Sequence, residues 1–414
     1  MPKHTLSQFV LSTFLFFSHQ SLANPIRHGK PSSPSYMSCA AWTLPVHATA
    51  DNVIYDVPRV DSNIDAADYA VYEDTWTTGN ITERTQSILH VDDTFGTGVQ
   101  LCVPTAENGA KKGILQIASH GLGFDKRYWD VEVEPDTYSY VRAVVKAGYS
   151  ILTYDRLGTG SSDKPDAYNI VQATLQLEIL KSLTMMARDG SLAEAAKPHF
   201  AHDVALPAFA KTVHIGHSFG SALTNALQAK YPELSDGAIQ TGWVINDHLG
   251  MFSQSAFGYQ YAPENDPKKF GDRGSGYIVV GTKNSFQQLF LAKGMLDPKL
   301  LDYGDSIKQP GTVGENAPAG LILGLPATDF TGPQQIKILT DDAMQFFLAE
   351  RDLPICDGNC TGVADAAQLK ATSFPKASAV EVYVQPGTGH GLALHKNATA
   401  GYQVMLDFLG RNGL

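Results

Sequence analysis

The stretch Gly216-His-Ser-Phe-Gly220 constrains the fold of this 414-residue chain more than any other. It follows a short apolar segment, residues 211–215, and precedes residues 221–231, whose Ala, Leu, Gln and Lys content favours a helix. Strand, G-x-S-x-G and helix in this order are typical of a nucleophile elbow, a tight turn that exposes a strained serine above a sheet. Because the pattern alone also occurs by chance, Ser218 is a candidate nucleophile only if the chain also supplies a base, an acid and donors for an oxyanion.

The first residues match the pattern of a secretory signal peptide. Lys3 precedes an apolar run at residues 9–17, and the small residues Ser21 and Ala23 follow. We therefore predict that residues 1–23 are a signal peptide and that the protein is extracellular. The formal net charge of −11, without a Lys/Arg cluster, argues against nucleic acid or an anionic membrane surface as a partner.

The four cysteines fit two disulfides, as an even number does in an oxidising compartment. Cys356 and Cys360 would close a tight local loop, and Cys39 with Cys102 would tie the N-terminal arm to a strand. A zinc site is the alternative, but only one cysteine pair is compact and no histidine lies at ligand spacing. We expect no metal and no cofactor.

Three N-x-[ST] sequences are candidate glycosylation sites if the host is a eukaryote. They begin at Asn80, Asn359 and Asn397.

The residues before 111 are predicted to form an irregular arm to about residue 50, followed by antiparallel strands of the main sheet. The arm and strands together occupy residues 24–110. The predicted strands are 52–60, 69–77 and 98–104.

From residue 111 onwards the predicted strands alternate with helices, which indicates an α/β fold with a mostly parallel sheet flanked by helices. The first part of this core is residues 111–245. The alternation stops in residues 246–335, which are rich in Gly, Pro, Asp and Phe and which we predict to be a helical cap. It resumes in residues 336–414, with strands at 344–349 and 380–384 and a final helix at 399–409.

The best candidate for the base is His390. It lies between Gly389 and Gly391, directly after the predicted strand 380–384, and the carboxyl end of a strand is where such sheets place reacting groups. His395 lies too close to the final helix to be preferred, and His248 falls where the cap begins.

The best candidate for the acid is Asp352, just past the predicted strand 344–349. A carboxylate is needed there to orient the histidine. The remaining alternatives are Glu350, Asp247, Asp341 and Asp342.

The oxyanion hole requires two preorganised N–H donors. We expect one to be the backbone of Phe219, next to the nucleophile, and the other that of Leu122, in the loop after the strand 113–118. His120 in the same loop is interpreted as a structural hydrogen-bonding residue. The glycines after Asp155 and Arg156 lack the G-x-G-x-x-G spacing of a dinucleotide site, so we expect these two residues to brace the pocket floor.

Together these motifs resemble the α/β-hydrolase superfamily, and in particular its secreted fungal serine hydrolases. The resemblance covers about residues 95–410. It is carried by His120 to Asp125, Tyr128-Trp129-Asp130, Asp155 to Ser162, Gly216 to Gly220, Gly276-Tyr277, Asp352 with Cys356 and Cys360, and Gly389-His390-Gly391.

The resemblance implies that Ser218 is the nucleophile, His390 the base and Asp352 the acid. It also implies that Phe219 and Leu122 are the oxyanion donors. One departure affects the acid. The family's lead-in to the acid-bearing strand resembles residues 330–333, but about a dozen residues separate it from Phe346. If the strand were instead residues 335–340, Asp341 would become the acid.

The expected activity is hydrolysis of a carboxylic ester through an acyl-enzyme. A triad-dependent acyl transferase, cyclase or lyase acting on a secondary metabolite is the second hypothesis, and a non-catalytic extracellular binding protein is the third. Epoxide hydrolase and dehalogenase chemistry is disfavoured because both need Asp where this chain has Ser218. Aromatic side chains of the cap form either a substrate pocket or the cap's own core: Phe252, Phe257, Tyr259, Tyr261, Phe286 and Phe290.

Overall fold

The computed structural model describes residues 34–74, 81–105, 111–244, 255–322, 324–330 and 343–414. The predicted signal peptide, residues 1–23, and the sequon at Asn80 lie outside these ranges. None of the helices in this part of the chain has both the length and the apolarity that a membrane-spanning segment requires.

Eleven strands occur within the described residues. They are β1 (Met37–Tyr55), β2 (Thr85–Pro104), β3 (Ile114–Ser119), β4 (Ser150–Tyr154), β5 (Lys211–His217), β6 (Gly237–Thr241), β7 (Tyr259–Tyr261), β8 (Tyr277–Val280), β9 (Gly311–Thr312), β10 (Ala343–Arg351) and β11 (Ala379–Gly389).

The same ranges contain fourteen α-helical segments, several of them a single turn. They are α1 (Asn63–Asp74), α2 (Ile81–Arg84), α3 (Pro135–Tyr138), α4 (Tyr140–Lys146), α5 (Ala173–Asp189), α6 (Ser191–Ala196), α7 (Phe219–Lys230), α8 (Ala262–Asn265), α9 (Pro267–Phe270), α10 (Lys283–Phe290), α11 (Pro298–Ile307), α12 (Leu353–Cys356), α13 (Ala366–Thr372) and α14 (Ala398–Arg411).

The main sheet has eight strands in the order β1-β2-β4-β3-β5-β6-β10-β11. The pairings of β1 with β2 and of β2 with β4 are antiparallel, and the other pairings are parallel. Alternate side chains enter cores on opposite faces, because successive residues of a strand point to opposite sides. In β3, Leu115 and Ile117 pack with α5 and α7, whereas Ala118 belongs to the core that contains residues of α4 and α14. The prediction of a mostly parallel sheet flanked by helices is therefore confirmed.

Two predictions about the N-terminal part are wrong. The arm is not irregular up to residue 50, because β1 already begins at Met37 and buries alternate residues such as Val46, Ala48 and Ala50. The described part of the predicted strand 69–77 is helical instead, since Asn63–Asp74 form α1.

Helix α1 has a start signal in the sequence. The Ser62 side chain accepts a hydrogen bond from the backbone N–H of Asp65, and the Asp65 carboxylate accepts one from the backbone of Asp61. Such a reciprocal arrangement satisfies backbone donors that a helix start leaves unpaired. Ala66 and Tyr69, three residues apart, are the buried side of the helix.

The described residues between β6 and β10, 255–322 and 324–330, belong to the segment predicted to be a helical cap and are called the insertion below. Besides α8 to α11 they contain a three-stranded antiparallel sheet, β7-β8-β9, which the sequence analysis did not predict. All four residues of β8 are buried. The insertion contacts the loop after β11, where the carbonyl of Phe290 accepts a 2.7 Å hydrogen bond from the backbone N–H of Gly391.

Candidate active site

Ser218 lies at the sharp turn between β5 and α7. Its backbone has φ 52° and ψ −121°, a conformation that is costly for a residue with a side chain. A Cβ on Gly216 would lie 2.4 Å from the Cα of Ser221, and one on Gly220 would lie 2.2 Å from the carbonyl oxygen of Ser119. Both glycines are therefore required by close approach, as the elbow pattern predicted.

Asp352 and His390 form a buried pair. The carboxylate Oδ2 of Asp352 lies 2.7 Å from Nδ1 of His390, and Oδ1 accepts a 3.0 Å hydrogen bond from the backbone N–H of Ile355. Asp352 follows the last residue of β10, and His390 follows the last residue of β11. Because Asp352 engages Nδ1, the nitrogen left to accept a proton from a nucleophile is Nε2.

The other carboxylates differ from Asp352 in position. The strand before Asp352 runs from Ala343 to Arg351, which agrees with the predicted strand 344–349. Glu350 braces the neighbouring strand instead, since its Oε2 accepts a 2.7 Å hydrogen bond from the backbone N–H of Gly387. Asp247, Asp341 and Asp342, like His248, lie outside the described residues.

The two candidate oxyanion donors flank the serine. A Cβ on Gly121 would lie 2.8 Å from the Cβ of Ser218, so the loop after β3 packs directly on the candidate nucleophile. Leu122 follows in that loop, and Phe219 is the first residue of α7. Both residues line the same cavity as Ser218 and His390.

That cavity has a volume of about 140 Å³. Its lining is Leu122, Ser218, Phe219, Ala222, Trp243, Phe257, Phe290, Glu315, Asn316, Ala319, Pro354, Ile355 and His390. Apart from the candidate catalytic side chains, its polar lining consists of Glu315 and Asn316. The Glu315 carboxylate is paired with Arg156, so the cavity presents no uncompensated charge from that residue.

The candidate aromatic residues of the cap were expected to form either a substrate pocket or the cap's own core, and the described ones do not all line the cavity. Phe257 and Phe290 line the cavity. Tyr259 lines a smaller neighbouring cavity, and Phe286 packs edge-on against Phe124 with ring centroids 5.8 Å apart. Tyr261 does not line this cavity, and Phe252 lies outside the described residues.

His120 and His217 are buried beside the site and have structural partners. Burial, with a smaller contribution from Arg156, lowers the pKa of His120 to about 3. Its Nε2 accepts a 3.0 Å hydrogen bond from the backbone N–H of Arg156. His217 stacks on Tyr128, with ring centroids 4.3 Å apart, and burial lowers the pKa of His217 well below its usual value. Both imidazoles are therefore neutral at physiological pH.

Asp155 and Arg156 bind two different parts of the chain after β3, and neither of them lines the cavity. Asp155 holds the loop after β3 through the backbone N–H of Lys126, at 3.0 Å, and through the ammonium of Lys126. Burial raises the pKa of Asp155, but Lys126 and neighbouring N–H groups outweigh this effect and lower it overall. Arg156 turns towards the loop's carbonyl groups and the insertion.

The cysteines are joined as Cys39–Cys102 and Cys356–Cys360, with S–S distances of 2.06 and 2.05 Å. This is the expected pairing, and it leaves none of these thiolates to bind zinc. The second disulfide closes a short loop at the end of α12, the helical turn that begins directly after Asp352. The backbone of Cys360 donates to the carbonyl of Glu350 at 3.0 Å, and that of Gly358 donates to the carbonyl of Asp352 at 3.0 Å.

The two sequons within the described residues differ in accessibility. Asn359 is exposed in the disulfide loop. Asn397 is half-buried, and its side-chain nitrogen donates to the carbonyl of Pro386 and to Oγ1 of Thr388, both at 2.9 Å. The nitrogen that a glycan would occupy is therefore already engaged at Asn397.

The fold and this pocket define a class of protein, and comparison of the sequence with protein families agrees. A model of the alpha/beta hydrolase family matches residues 117–401. Because the match covers more than half of the chain, the chain belongs to that family. No curated protein is significantly similar in sequence.

Solved structures with a similar fold include an esterase from Thermogutta terrifontis, at 12% identity and a TM-score of 0.46, covering 78% of this chain and 96% of that one. A putative aryl esterase from Burkholderia cenocepacia has 17% identity and a TM-score of 0.44, with coverage of 77% and 96%. A monoacylglycerol lipase from Paleococcus ferrophilus has 12% identity and a TM-score of 0.47, with coverage of 73% and 96%.

Proposed function

We propose that this protein is a secreted serine hydrolase that cleaves small, neutral carboxylic esters through an acyl-enzyme. The observation that carries the proposal is the buried Asp352–His390 pair, at 2.7 Å, whose histidine lines the same cavity as the strained Ser218. A serine hydroxyl is inert at its own pKa and needs an oriented base. The two disulfides support an oxidising compartment.

In the proposed reaction, Oγ of Ser218 bonds to the ester carbonyl carbon while its proton passes to Nε2 of His390. Asp352 stabilises the resulting imidazolium, and the backbone N–H groups of Leu122 and Phe219 donate to the oxyanion. The bond to the alcohol oxygen then breaks, and the alcohol takes the proton from His390. Water attacks the acyl-enzyme with the same base and releases the carboxylic acid.

The size of the cavity supports small substrates. A protein cavity of about 150 Å³ accommodates benzene, so the volume of about 140 Å³ fits a group of roughly that size. The lining residues Phe257, Phe290 and Ile355 favour an apolar group, because burying apolar surface is favourable. A short acyl chain or a single aromatic ring meets both conditions, whereas a long fatty acyl chain would need the insertion to move.

The test is labelling with a fluorophosphonate together with turnover of p-nitrophenyl esters from acetate to palmitate. We expect wild type to be labelled, Ser218→Ala to be unlabelled, and kcat/KM to be highest for the short esters. Ser182→Ala is the matched control, because Ser182 is a serine of α5 that donates to the carbonyl of His47 on the far edge of the sheet. Equal labelling of wild type and Ser218→Ala would contradict the proposal, and highest activity on palmitate would contradict its substrate size.

Two further measurements address the remaining parts of the proposal. Product analysis with an added acceptor alcohol separates hydrolysis from acyl transfer, because both use the same acyl-enzyme. N-terminal sequencing of protein recovered from the medium should begin at Asn24 if residues 1–23 are removed on secretion.

A further inference from the structure

Arg156 binds the carbonyl groups of the loop that carries one candidate oxyanion donor. Its Nε donates to the carbonyl of His120 at 3.1 Å, and its Nη2 donates to the carbonyl of Gly121 at 3.2 Å. The carbonyl of Gly121 and the N–H of Leu122 belong to the same planar trans peptide and point in opposite directions. The guanidinium, together with Nδ1–H of His120, which donates to the carbonyl of Gly121 at 2.9 Å, therefore fixes the direction of the Leu122 N–H.

The positive charge also strengthens the donor. A charge-assisted hydrogen bond at the carbonyl polarises the peptide, and polarised groups in a low-dielectric site donate more strongly. Arg156 reaches the second donor residue as well, since its guanidinium carbon lies 4.7 Å from the ring centroid of Phe219. One side chain thus contacts both residues from which the oxyanion donors are expected.

Arg156 is in turn held by a residue of the insertion. Its Nη1 donates to Oε1 of Glu315 and, at 2.7 Å, to Oε1 of Gln176. Arg156 and Glu315 are each only 1% exposed. Breaking a buried ion pair by removing one partner is strongly destabilising because the other charge stays buried and uncompensated.

Glu315 is itself fixed in place. Its Oε1 accepts a 2.7 Å hydrogen bond from Nε2 of Gln176, and its Oε2 accepts a 3.0 Å bond from the backbone N–H of Thr312. The next residue, Asn316, donates to the hydroxyl of Tyr69 on α1 at 2.6 Å. The carboxylate therefore has a position set by both the insertion and the core.

We propose that Arg156 and Glu315 are a positioning pair for the oxyanion hole, in which Glu315 from the insertion holds Arg156 and Arg156 orients and polarises the Gly121–Leu122 peptide. The pair makes the geometry of the oxyanion hole depend on the insertion being seated on the core. This inference rests on the proposed serine-hydrolase function, because an oxyanion forms only if Ser218 attacks a carbonyl.

The test uses the double variant Arg156→Met/Glu315→Gln, which removes both charges together and so avoids a buried unpaired charge. We expect kcat for p-nitrophenyl acetate to fall by about 10- to 100-fold, below the full loss of a donor, while KM changes by less than about threefold. The affinity for phenylboronic acid, whose serine adduct places an oxygen in the oxyanion hole, should fall by the same factor as kcat.

Arg188→Met/Asp236→Asn is the matched control. It removes an Arg–carboxylate pair with an N–O distance of 2.5 Å at the opposite end of β5, so kcat should remain within about twofold of wild type. Melting temperatures of both double variants show whether each is folded. The single variant Arg156→Met should be less stable than the double variant, because it leaves the Glu315 charge uncompensated.

A folded Arg156→Met/Glu315→Gln variant with the kcat of wild type, or with a change in KM alone, would overturn the inference and leave the proposed function intact. If the double variant is unfolded, Arg156→Lys takes its place. It keeps the charge but loses the forked geometry, and the same fall in kcat at constant KM is expected. Absence of turnover and of Ser218 labelling in wild type would instead overturn the proposed function, and the inference with it.

Discussion

The two sides of the candidate site are held by different means. On the acid side, the Cys356–Cys360 disulfide, with a sequence separation of 4, closes a loop shortly after Asp352. The carbonyl of Asp352 accepts hydrogen bonds from the backbone N–H groups of Cys356 and Gly358, at 3.1 and 3.0 Å. On the oxyanion side, the Gly121–Leu122 peptide is held by Arg156, whose partner Glu315 is 159 residues further along the chain. The acid side is thus held by local hydrogen bonds next to a small covalent loop, whereas the arginine on the oxyanion side depends on a long-range ion pair.

This difference has a consequence for how each side can fail. The backbone hydrogen bonds to the carbonyl of Asp352 come from the disulfide-closed segment and not from the insertion, so they should persist as long as the disulfide is intact. The ion pair between Arg156 of the core and Glu315 of the insertion is lost when the insertion moves away, because each charge is then solvated by water instead of by its partner. We therefore expect the acid to be robust to movement of the insertion and the oxyanion hole to be sensitive to it.

The largest effect is expected for Asp352→Asn. Loss of the carboxylate at Nδ1 of His390 leaves the imidazole in the wrong tautomer, and such a change lowers kcat by about 10⁴-fold in a serine hydrolase. The measurement is kcat for p-nitrophenyl acetate, with circular dichroism to verify folding. Asp341→Asn is the matched comparison, and its kcat should remain within about threefold of the wild-type value. The reverse result would make Asp341 the acid.

The two disulfides provide the next comparison. Replacing Cys356 and Cys360 by Ala opens a loop with a sequence separation of 4, and the chain-entropy relation gives a loss of about 2 kcal/mol. Replacing Cys39 and Cys102 opens one with a separation of 63 and should cost about 4 kcal/mol. The measurements are urea unfolding and kcat for each double variant.

Activity should change in the opposite order. The Cys356/Cys360 variant loosens the segment whose backbone hydrogen-bonds the carbonyl of Asp352, so kcat should fall several-fold. The Cys39/Cys102 variant should keep its kcat below its unfolding temperature. A Cys356/Cys360 variant with wild-type kcat would show that backbone hydrogen bonds alone position the acid.

The arrangement on the candidate acid side could be predicted from the sequence because its signals are local. The elbow needs only residues 216–220, and Asp352 and His390 each follow a recognisable apolar strand. The disulfide pairing of Cys356 with Cys360 follows from their short spacing. The parallel sheet then brings these loops together, because the carboxyl ends of its strands meet at one edge.

The oxyanion side was predictable only in part. Leu122 and Phe219 follow from motifs, but nothing local connects Arg156 to Glu315, and the sequence gives no reason to select that carboxylate among others in the insertion. The start of β1 was missed because its buried face is carried by small residues such as Ala48 and Ala50. Helix α1 was missed because aromatic and β-branched residues outweighed the start signal at Ser62 and Asp65.

A pH effect on the contact between the insertion and the acid-side loops is expected from His395. Its Nε2 accepts hydrogen bonds from the backbone N–H groups of Ala292 and Gly389, both at 3.0 Å, and protonation would abolish both. Burial lowers the pKa of His395 to about 4. Its stabilising contribution is therefore complete above the unfolded-state value of about 6.5 and is lost as pH falls from there through about 4.

His395→Gln should consequently be less stable than wild type at pH 7 but lose less stability between pH 7 and pH 5. One proton contributes at most about 1.4 kcal/mol per pH unit, and urea unfolding at both pH values measures the difference. The same pH dependence in both proteins would show that His395 does not titrate in this range. Burial also lowers the pKa of His214 to about 3, so the free energy of unfolding of the variant should still decrease somewhat as the pH falls.

On the acid side, the smallest change in kcat is expected for Glu350→Ala. Glu350 neighbours the acid in sequence, but its Oε2 accepts from the backbone N–H of Gly387, at 2.7 Å, and so joins the ends of β10 and β11. Loss of a hydrogen bond to a charged group costs about 1.5–3 kcal/mol, and partial exposure of this residue places the loss near the lower end. Urea unfolding measures the loss, while kcat should stay within about twofold of wild type because Asp352 keeps both of its hydrogen bonds. A fall in kcat comparable to that of Asp352→Asn would mean that the ends of the two strands, and not the disulfide loop, position the acid.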